Sequence, residues 1–539
     1  MGFYRLISFV HSQFKQIRIG GPRVFYNKIK RAFTLASLSV AAPLAVYFKM
    51  DWPQAYEFLA RRSMQKAQRL KFLPVHDREQ IRKLLEKTIA YLEKSIGQQD
   101  PDLSVLSSWV EKRIWLGDLY SSMNNFKQSL AVYSRTAEMQ REIIKKYQLD
   151  SLDMIFIPLS LPQGAIGCFE YLECYIKAVM LGLRPNKKMI LLLDPNAQVA
   201  NPCFLKYLGQ YIKIVSDPLA INILTPLEGY LTYPLIHFAE LNGRFCWGPM
   251  SLGIVRDQWI KANRRPLLEL SSQDHEKGWD TLRSFGLPQD AWFVTLHVRE
   301  PGWKDRGSSS ENFRNADIKT YFPAIKAVTD AGGWVIRIGD PTMSKLVEMP
   351  KVIDYAHSPA KSDWMDVFLC SQCRFLIGTS SGMSSVVLSF GVPLVLTNLL
   401  PAIGFYFFTS KDLFIPRLCF SKNKERYLNF NEMLSTPAVT AAFQKHFEEL
   451  NLRVTENTAE EIKDLVEEML QRFDGNAPYN EEDENLQEQF RTLSAESGKF
   501  FADKDFNARI HMRIGRNFLR KHSSLLPSGK IPDASVREV

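Results

Sequence analysis

Phe375-Leu-Ile-Gly-Thr-Ser-Ser-Gly-Met-Ser-Ser-Val-Val-Leu-Ser-Phe-Gly-Val-Pro-Leu-Val-Leu396 reads as strand, tight turn, helix and strand in close succession. Phe375 to Gly378 and Pro393 to Leu396 are apolar runs of strand length, and Ser384 to Phe390 between them reads as a helix. Two strands joined through a helix run parallel, which makes this an α/β unit. The pattern extends upstream: Trp292 to Val298 is a predicted strand, Ile318 to Ala331 a helix, Trp334 to Ile338 a strand and Trp364 to Cys370 a helix. A similar alternation occupies an earlier segment. Met154 to Leu159 is a strand opening into the loop of Gly164 and Gly167, Phe169 to Leu181 a helix, and Met189 to Leu193 and Ile212 to Val215 are strands. With Pro266 to Gln289 read as a linker, the fold expected is α/β with two Rossmann-like lobes and a ligand in the cleft between them.

Chemistry is expected where strands of such sheets end. Thr295, His297 and Arg299 alternate with Leu296 and Val298, so one face of a buried strand turns polar at its carboxyl end. A planar, permanently charged Arg there can fork onto a pyrophosphate, although an ion pair with Glu300 or Asp340 is the competing reading. His297 alone would read as a core histidine and gains weight only from standing near Arg299. The Thr379-Ser380-Ser381-Gly382 turn leads straight into a helix, whose unpaired amides and dipole favour an anion; the competing reading is a simple N-cap. It is not a Walker A loop, because no Gly-Lys-Ser/Thr follows. Between these two elements Arg337, Gly339, Asp340, Asp354 and Tyr355 suit the ribose and base of a nucleotide, or serve as ordinary turn and core residues.

These residues carry a resemblance. The run His297-Val-Arg-Glu-Pro-Gly, then Arg314-Asn315-Ala-Asp-Ile-Lys-Thr-Tyr321, Val335-Ile-Arg-Ile-Gly-Asp, Asp354-Tyr355-Ala and Gly-Thr-Ser-Ser-Gly resembles a bacterial family of glycosyltransferases from surface-polysaccharide loci, two-lobed (GT-B-like) with a fucosyltransferase-like second lobe. The similarity spans about residues 150 to 420. It implies hexosyl or deoxyhexosyl transfer from a nucleotide-sugar donor, GDP- or UDP-linked, to a hydroxyl of a glycan, lipid-linked glycan or protein. The transfer would be inverting and metal-independent, with the nucleotide sugar as substrate and no cofactor. Arg299 and the 379 to 382 turn would hold the leaving diphosphate. Glu300 and Asp305 are the first candidates for the base, with Glu170 and Glu173 as rivals. Gly164, Gly167, Arg314 and Asn315 fall where an acceptor or a closing loop would lie. The chain lacks the Arg-Arg-x-Asp signature of fucosyltransferases, so a GDP-fucose donor does not carry over. A sugar-nucleotide epimerase on the same fold and an inactive membrane-associated scaffold are the alternatives.

The 539 residues exceed what one hydrophobic core usually supports. Net charge is +10, yet residues 1 to 50 hold eight Lys/Arg and no acid, and removing those eight from 68 leaves 60 cations against 58 acids. A nucleic-acid binder is therefore disfavoured. In the basic arm Arg5, Lys15, Arg18, Arg23, Lys28, Lys30 and Arg31 alternate with apolar residues, which suits an anionic membrane surface; a packed helix is the competing reading. Thr34 to Phe48 is shorter than the roughly 20 residues that span a bilayer. The expected location is cytoplasmic, peripheral on the inner face of the membrane.

Cys370-Ser-Gln-Cys373, the one C-x-x-C, reads as core. Residues 51 to 148 form a helical region in which Leu116, Gly117, Tyr120, Ser129 and Tyr133 resemble a tetratricopeptide pair. The lobes are expected over 149–280, the acceptor side, and 281–435, the nucleotide-sugar side. Helices are expected over 436–474, and a solvated acidic loop followed by a basic terminal helix over 475–539.

Overall fold

The computed structural model describes residues 103–232, 238–301, 309–441, 443–499, 501 and 509–527, with scattered positions from 79 to 93. The basic arm of residues 1 to 50 and Asp305 lie outside the described residues. The chain divides into two compact units, 1–123 and 124–539. In the first, α1 (Leu103–Ser122) buries Trp109 and Leu119 completely.

The second unit begins with α2 (Phe126–Lys146), capped by Asn125, whose side chain accepts from the Gln128 amide. Its Tyr133 ring stacks on Phe238, centroids 5.0 Å apart. The helix thus forms a packing layer on the α/β unit. β1 (Met154–Phe156), β2 (Lys188–Leu192) and β3 (Lys213–Val215) make a parallel sheet in that order, with α3 (Phe169–Met180) linking the first two. A further helix, α4 (Pro218–Leu231), and a hairpin of β4 (Phe238–Leu241) and β5 (Arg244–Trp247) follow.

Next comes α5 (Gly248–Lys261), which binds the two sheets' surroundings together. A Cβ on its Gly253 would stand 1.8 Å from the Tyr406 carbonyl oxygen, and its buried Arg256 donates to the Phe407 carbonyl at 2.7 Å and to Glu173 on α3 at 3.0 Å. The supposed linker 266–289 instead contains α6 (Ser272–Ser284), capped by Ser271.

The larger sheet is entirely parallel. Its strands are β6 (Phe293–His297), β7 (Trp334–Arg337), β8 (Val352–Ile353), β9 (Leu376–Gly378), β10 (Leu394–Leu399) and β11 (Leu413–Pro416). Between them run α7 (Phe322–Asp330), α8 (Asp363–Gln372) and α9 (Gly382–Ser389). A small antiparallel sheet of β12 (Cys419–Ser421), β13 (Arg426–Tyr427) and β14 (Leu452–Val454) precedes α10 (Ala459–Phe473). The strand order of the larger sheet, β15-β11-β10-β9-β6-β7-β8, is completed by β15 (Arg513–Ile514), parallel to β11. The central strands β6, β9 and β10 are buried along their whole length, as expected of a parallel sheet covered on both faces.

Three expectations for the C-terminal part need correction. Within the helices expected over 436–474, the first part is broken into a short turn at Ala438–Thr440 and a helix at Gln444–Glu449. The acidic stretch 481 to 488 is no loop but the start of an 18-residue helix, α11 (Glu481–Gly498). Asn480 and Asp483 form a reciprocal capping box there, and the acids of the first turn face the positive end of the helix dipole. The basic terminal helix expected within 475–539 is shorter than the spacing of Arg509, Arg513, Arg516 and Arg520 implies. Ile510, Met512 and Ile514 are fully buried beside β15, and only Arg516–Lys521 is helical. Arg520 pairs with Asp483 at 2.5 Å, so that helix is tied down by an ordinary ion pair.

Among the described residues no helix is long and apolar enough to cross a membrane. Cys370 and Cys373 are free and buried, and burial pushes the Cys373 thiol up to about 12. That chemistry is of an inert core pair.

Candidate functional site

β6 and β9 are neighbours with His297 opposite Gly378, so the residues that leave their carboxyl ends meet. The Arg299 amide donates to Thr379 Oγ1 at 3.0 Å, and the Thr379 amide donates to the His297 carbonyl at 3.1 Å. Two cations frame this junction: Arg299 Nη1 donates to Asn315 Oδ1 at 2.8 Å, and Arg314 Nη2 donates to the Ser380 carbonyl at 2.8 Å. Asn315 is itself anchored, because buried Arg417 donates to its carbonyl. The structure thus brings His297, Arg299, Arg314, Asn315, Thr379 and Ser380 together at one sheet edge.

The turn runs into α9 with Ser381 in the N-cap position, yet the Ser381 side chain makes no capping hydrogen bond. Its Oγ is buried without a partner, and so are Ser384 Oγ one turn on and His297 Nδ1. Buried polar groups are ordinarily satisfied, so these three unpartnered atoms set this helix start apart from an ordinarily capped one. Ser384 had no signal of its own in the sequence beyond lying in the same Ser-rich stretch.

The first-lobe loop closes over this helix start. Gly167 lies so near that a Cβ on it would stand 3.1 Å from Gly382 Cα, while a Cβ on Gly382 would stand 2.5 Å from Ile166 Cγ2 and 2.8 Å from the Gly167 amide nitrogen. Two bare backbones meet there, which explains glycine at both positions. Gly164 is tight against its own turn, 2.9 Å from the Ser160 carbonyl oxygen by the same measure. Ser385 Oγ bridges the lobes, 3.4 Å from both the Gly167 carbonyl and Glu170 Oε2.

Glu170 sits behind that loop with 17% of its side chain exposed, 3.5 Å from Arg256 Nη2. Burial raises its carboxyl above the usual range, against the pull of Arg256 and with the push of Glu173. Glu173 is fully buried between Lys177 and Arg256, and despite its burial those two cations hold it down at about 2. The two rivals for the base are thereby distinguished: one is clamped, the other retains a free edge.

The residues expected around ribose and base form a closed network. Arg337, fully buried, donates to Glu300 Oε1 at 2.5 Å, to the Ser344 carbonyl at 2.5 Å and to Asp354 Oδ1 at 3.3 Å. Glu300 Oε2 accepts from the Ser344 amide at 3.0 Å and its hydroxyl at 2.6 Å. Both carboxylate oxygens of Glu300 are therefore engaged. Asp354 Oδ2 accepts from the Leu346 amide at 3.0 Å and faces His357 Nδ1 at 2.9 Å. Asp340 closes its own turn, accepting from the Thr342 amide at 3.0 Å. Gly339 has φ +148°, and a Cβ there would meet Met343 sulfur at 2.3 Å. Tyr355 is fully buried and its hydroxyl donates to the Ser362 carbonyl at 3.2 Å, so its ring offers no face for stacking.

Burial lowers the His297 imidazole to about 4, with the Arg337 charge acting the same way. It is neutral at pH 7, and its orphaned Nδ1 is free to donate or accept. A depressed histidine favours unfolding in acid: the unfolded chain takes up the proton near pH 6.5, the folded one only near 4. Stability should fall between those values by about 3 kcal/mol from this group alone. Denaturant titrations at pH 7 and pH 4 should show that component in the native protein and not in His297→Asn; an identical pH dependence would refute the assignment.

No protein-family model matches this chain, and no curated protein does. Solved structures do match in part. A glycosyl transferase family 9 protein from Veillonella parvula shares 10% identity over 45% of this chain and 80% of its own, at a TM-score of 0.28. The iron-containing dodecameric glycosyltransferase TibC from enterotoxigenic E. coli shares 13% identity over 47% of this chain, at a TM-score of 0.26. TibC described as a heptosyltransferase in complex with ADP-D-β-D-heptose matches at 13% identity and a TM-score of 0.28. This chain spans 59% of the length of TibC in both cases. These likenesses are partial, and the functional reading rests on the residues of the site.

Proposed function

We propose that this chain is a GT-B-like glycosyltransferase that moves a sugar from a nucleoside-diphosphate donor to a hydroxyl of a glycan, lipid-linked glycan or protein, inverting and without a metal. The observation that carries the reading is the uncapped start of α9, where Ser381 Oγ, Ser384 Oγ and His297 Nδ1 are buried without partners at the junction of the two lobes. A diphosphate placed there would receive hydroxyl and amide donors together with the dipole of the helix. Arg299 and Arg314 flank the same turn, the Arg299 amide bonded to Thr379 and the Arg314 guanidinium to the Ser380 carbonyl, and would add positive charge beside the diphosphate.

In the reaction, the acceptor oxygen forms a bond to the anomeric carbon as that carbon's bond to the diphosphate oxygen breaks. The electron pair leaves with the nucleoside diphosphate, and the acceptor proton passes to a carboxylate. Fixed donors aimed at the leaving oxygens favour the transition state, where their charge grows. Glu170 is the carboxylate best suited to take the proton, because it borders the junction, keeps an exposed edge and is more basic than usual. Glu300 is occupied by Arg337 and Ser344. The basic arm, residues 1 to 50, would hold the enzyme against the inner face of an anionic membrane, where lipid-linked acceptors are found.

The test is thermal denaturation with GDP, UDP, CDP, ADP and dTDP, with and without magnesium. One nucleotide should raise the melting temperature in either condition, since a ligand of the folded state stabilises it. Ser381→Ala combined with Ser384→Ala should weaken that binding about tenfold. Absence of any shift, or unchanged affinity in the double variant, refutes the phosphate site.

A further inference from the structure

A cavity of about 540 Å³ opens at the amino ends of the first sheet's strands. It is bounded by α2, by the start of β1, by the segment leading into β2 and by the end of α4. Met154 and Ile155 begin β1, and Lys187 directly precedes β2, so the cavity lies at the amino ends of these parallel strands. The 164–167 loop follows the carboxyl end of β1. The cavity is therefore separate from the junction where α9 begins.

Its chemistry is two-sided. Ile144, Leu183 and Leu231 supply an apolar wall. Among the described lining residues Arg141, Arg184 and Lys187 supply cations and Glu240 is the acid, paired with Arg141 at 2.6 Å. Arg184 is 91% buried, with 9% exposed, and lies over the Tyr175 ring, 4.7 Å from its centroid. Thr232 Oγ1 is buried on the lining without a hydrogen-bond partner. Gln140 does not fill that role: its amide donates to the Tyr230 carbonyl at 2.5 Å and to the Thr232 carbonyl at 3.2 Å, which ties α2 to the end of α4.

We infer that this cavity is a binding site for a small amphipathic anion, a carboxylate or phosphate bearing an apolar tail. The tail would lie on Ile144, Leu183 and Leu231, and the head would meet Arg184 and Lys187 with the Thr232 hydroxyl in reach. Buried arginine on an aromatic face is a rigid, preorganised anion donor, and apolar walls favour a tail by about 25 cal/mol per Å² removed from water. The inference is independent of the donor site, since the cavity lies at the amino ends of β1 and β2 and the donor site at the carboxyl ends of β6 and β9.

The test uses the full chain and two probes, octanoate and octyl phosphate, with octanol and inorganic phosphate as half-probes, read by thermal denaturation. At least one of the two amphiphiles should raise the melting temperature, and each half-probe should do markedly less. Ile144→Trp, which fills the cavity from α2, should abolish the rise. Lys187→Glu, at a partly exposed position, should weaken binding about tenfold while leaving the unliganded melting temperature near that of the native protein. The inference is overturned if neither amphiphile shifts melting, if octanol or inorganic phosphate matches the amphiphiles, or if the shift survives in both variants. A cooperative melting transition of unliganded Ile144→Trp, with native-like circular dichroism, would show that variant to be folded.

Discussion

Gly378→Ala should destabilise the protein by about 4 kcal/mol, or prevent folding, although it adds a single methyl group. Gly378 closes β9 at the centre of the larger sheet, paired with His297 on one side and Leu396 on the other. Its φ is +155°, and a Cβ there would stand 1.9 Å from the His297 carbonyl oxygen and 2.7 Å from its carbon. Neither strand can yield, because both are fixed by their other neighbours and the same carbonyl accepts from the Thr379 amide. The clash would thus fall on the hydrogen bond that sets the turn before α9. Gly332→Ala is the control: its φ is +90° but its Cβ would meet nothing within 4 Å, so only the backbone conformation is penalised, by about 1 kcal/mol. Denaturant unfolding of the two variants separates them. Similar losses would mean that the sheet relaxes around the methyl and that the close approach is not required.

Gly378 also shows what was legible in the sequence. A parallel strand covered by helices appears as a short, mostly apolar run with a turn residue at its end, and for that reason β1, β2, β6, β7, β9 and β10, and the half-exposed β3, stand where their runs predicted, within a few residues. The helix α5 went unread for the opposite reason. Residues Gly248 to Arg256 are all buried, so no polar face marks a helical period. Read for charge alone, Glu481 to Glu484 are a solvated run; read with Asn480, they are the first turn of a capped helix. β15 was beyond local reading, since its two residues become a strand only by pairing with β11, about a hundred positions earlier. The site divides in the same way. The polar end of β6 and the Ser-rich turn are local signals, and the structure brings them together. The occupation of Glu300 by Arg337 and of Glu173 by Arg256 depends on partners distant in sequence, so spacing gave no means of ranking the carboxylates.

That ranking has a direct consequence. Glu170→Gln should lower kcat about a thousandfold, equivalent to about 4 kcal/mol in the barrier, while the protein stays folded and binds its nucleotide. Folding should survive because the amide fills the same space and Arg256 retains the buried Glu173 at 3.0 Å and the Phe407 carbonyl at 2.7 Å. In the native enzyme the carboxyl is raised by burial, so the ionised base is lost as pH falls through a value above the ordinary range near 4.3, and the rate should decline there. Glu170→Gln should lack that acidic limb, and Glu170→Asp, a base set back by one methylene, should restore part of the rate along with the limb. Glu300→Gln provides the contrast. It leaves buried Arg337 facing a neutral amide, and its effect should appear as reduced stability with kcat within a few-fold of native. If instead Glu300→Gln abolishes turnover in a stable protein and Glu170→Gln leaves it intact, the base belongs to the second lobe and the Arg337 pairing must open when substrate binds.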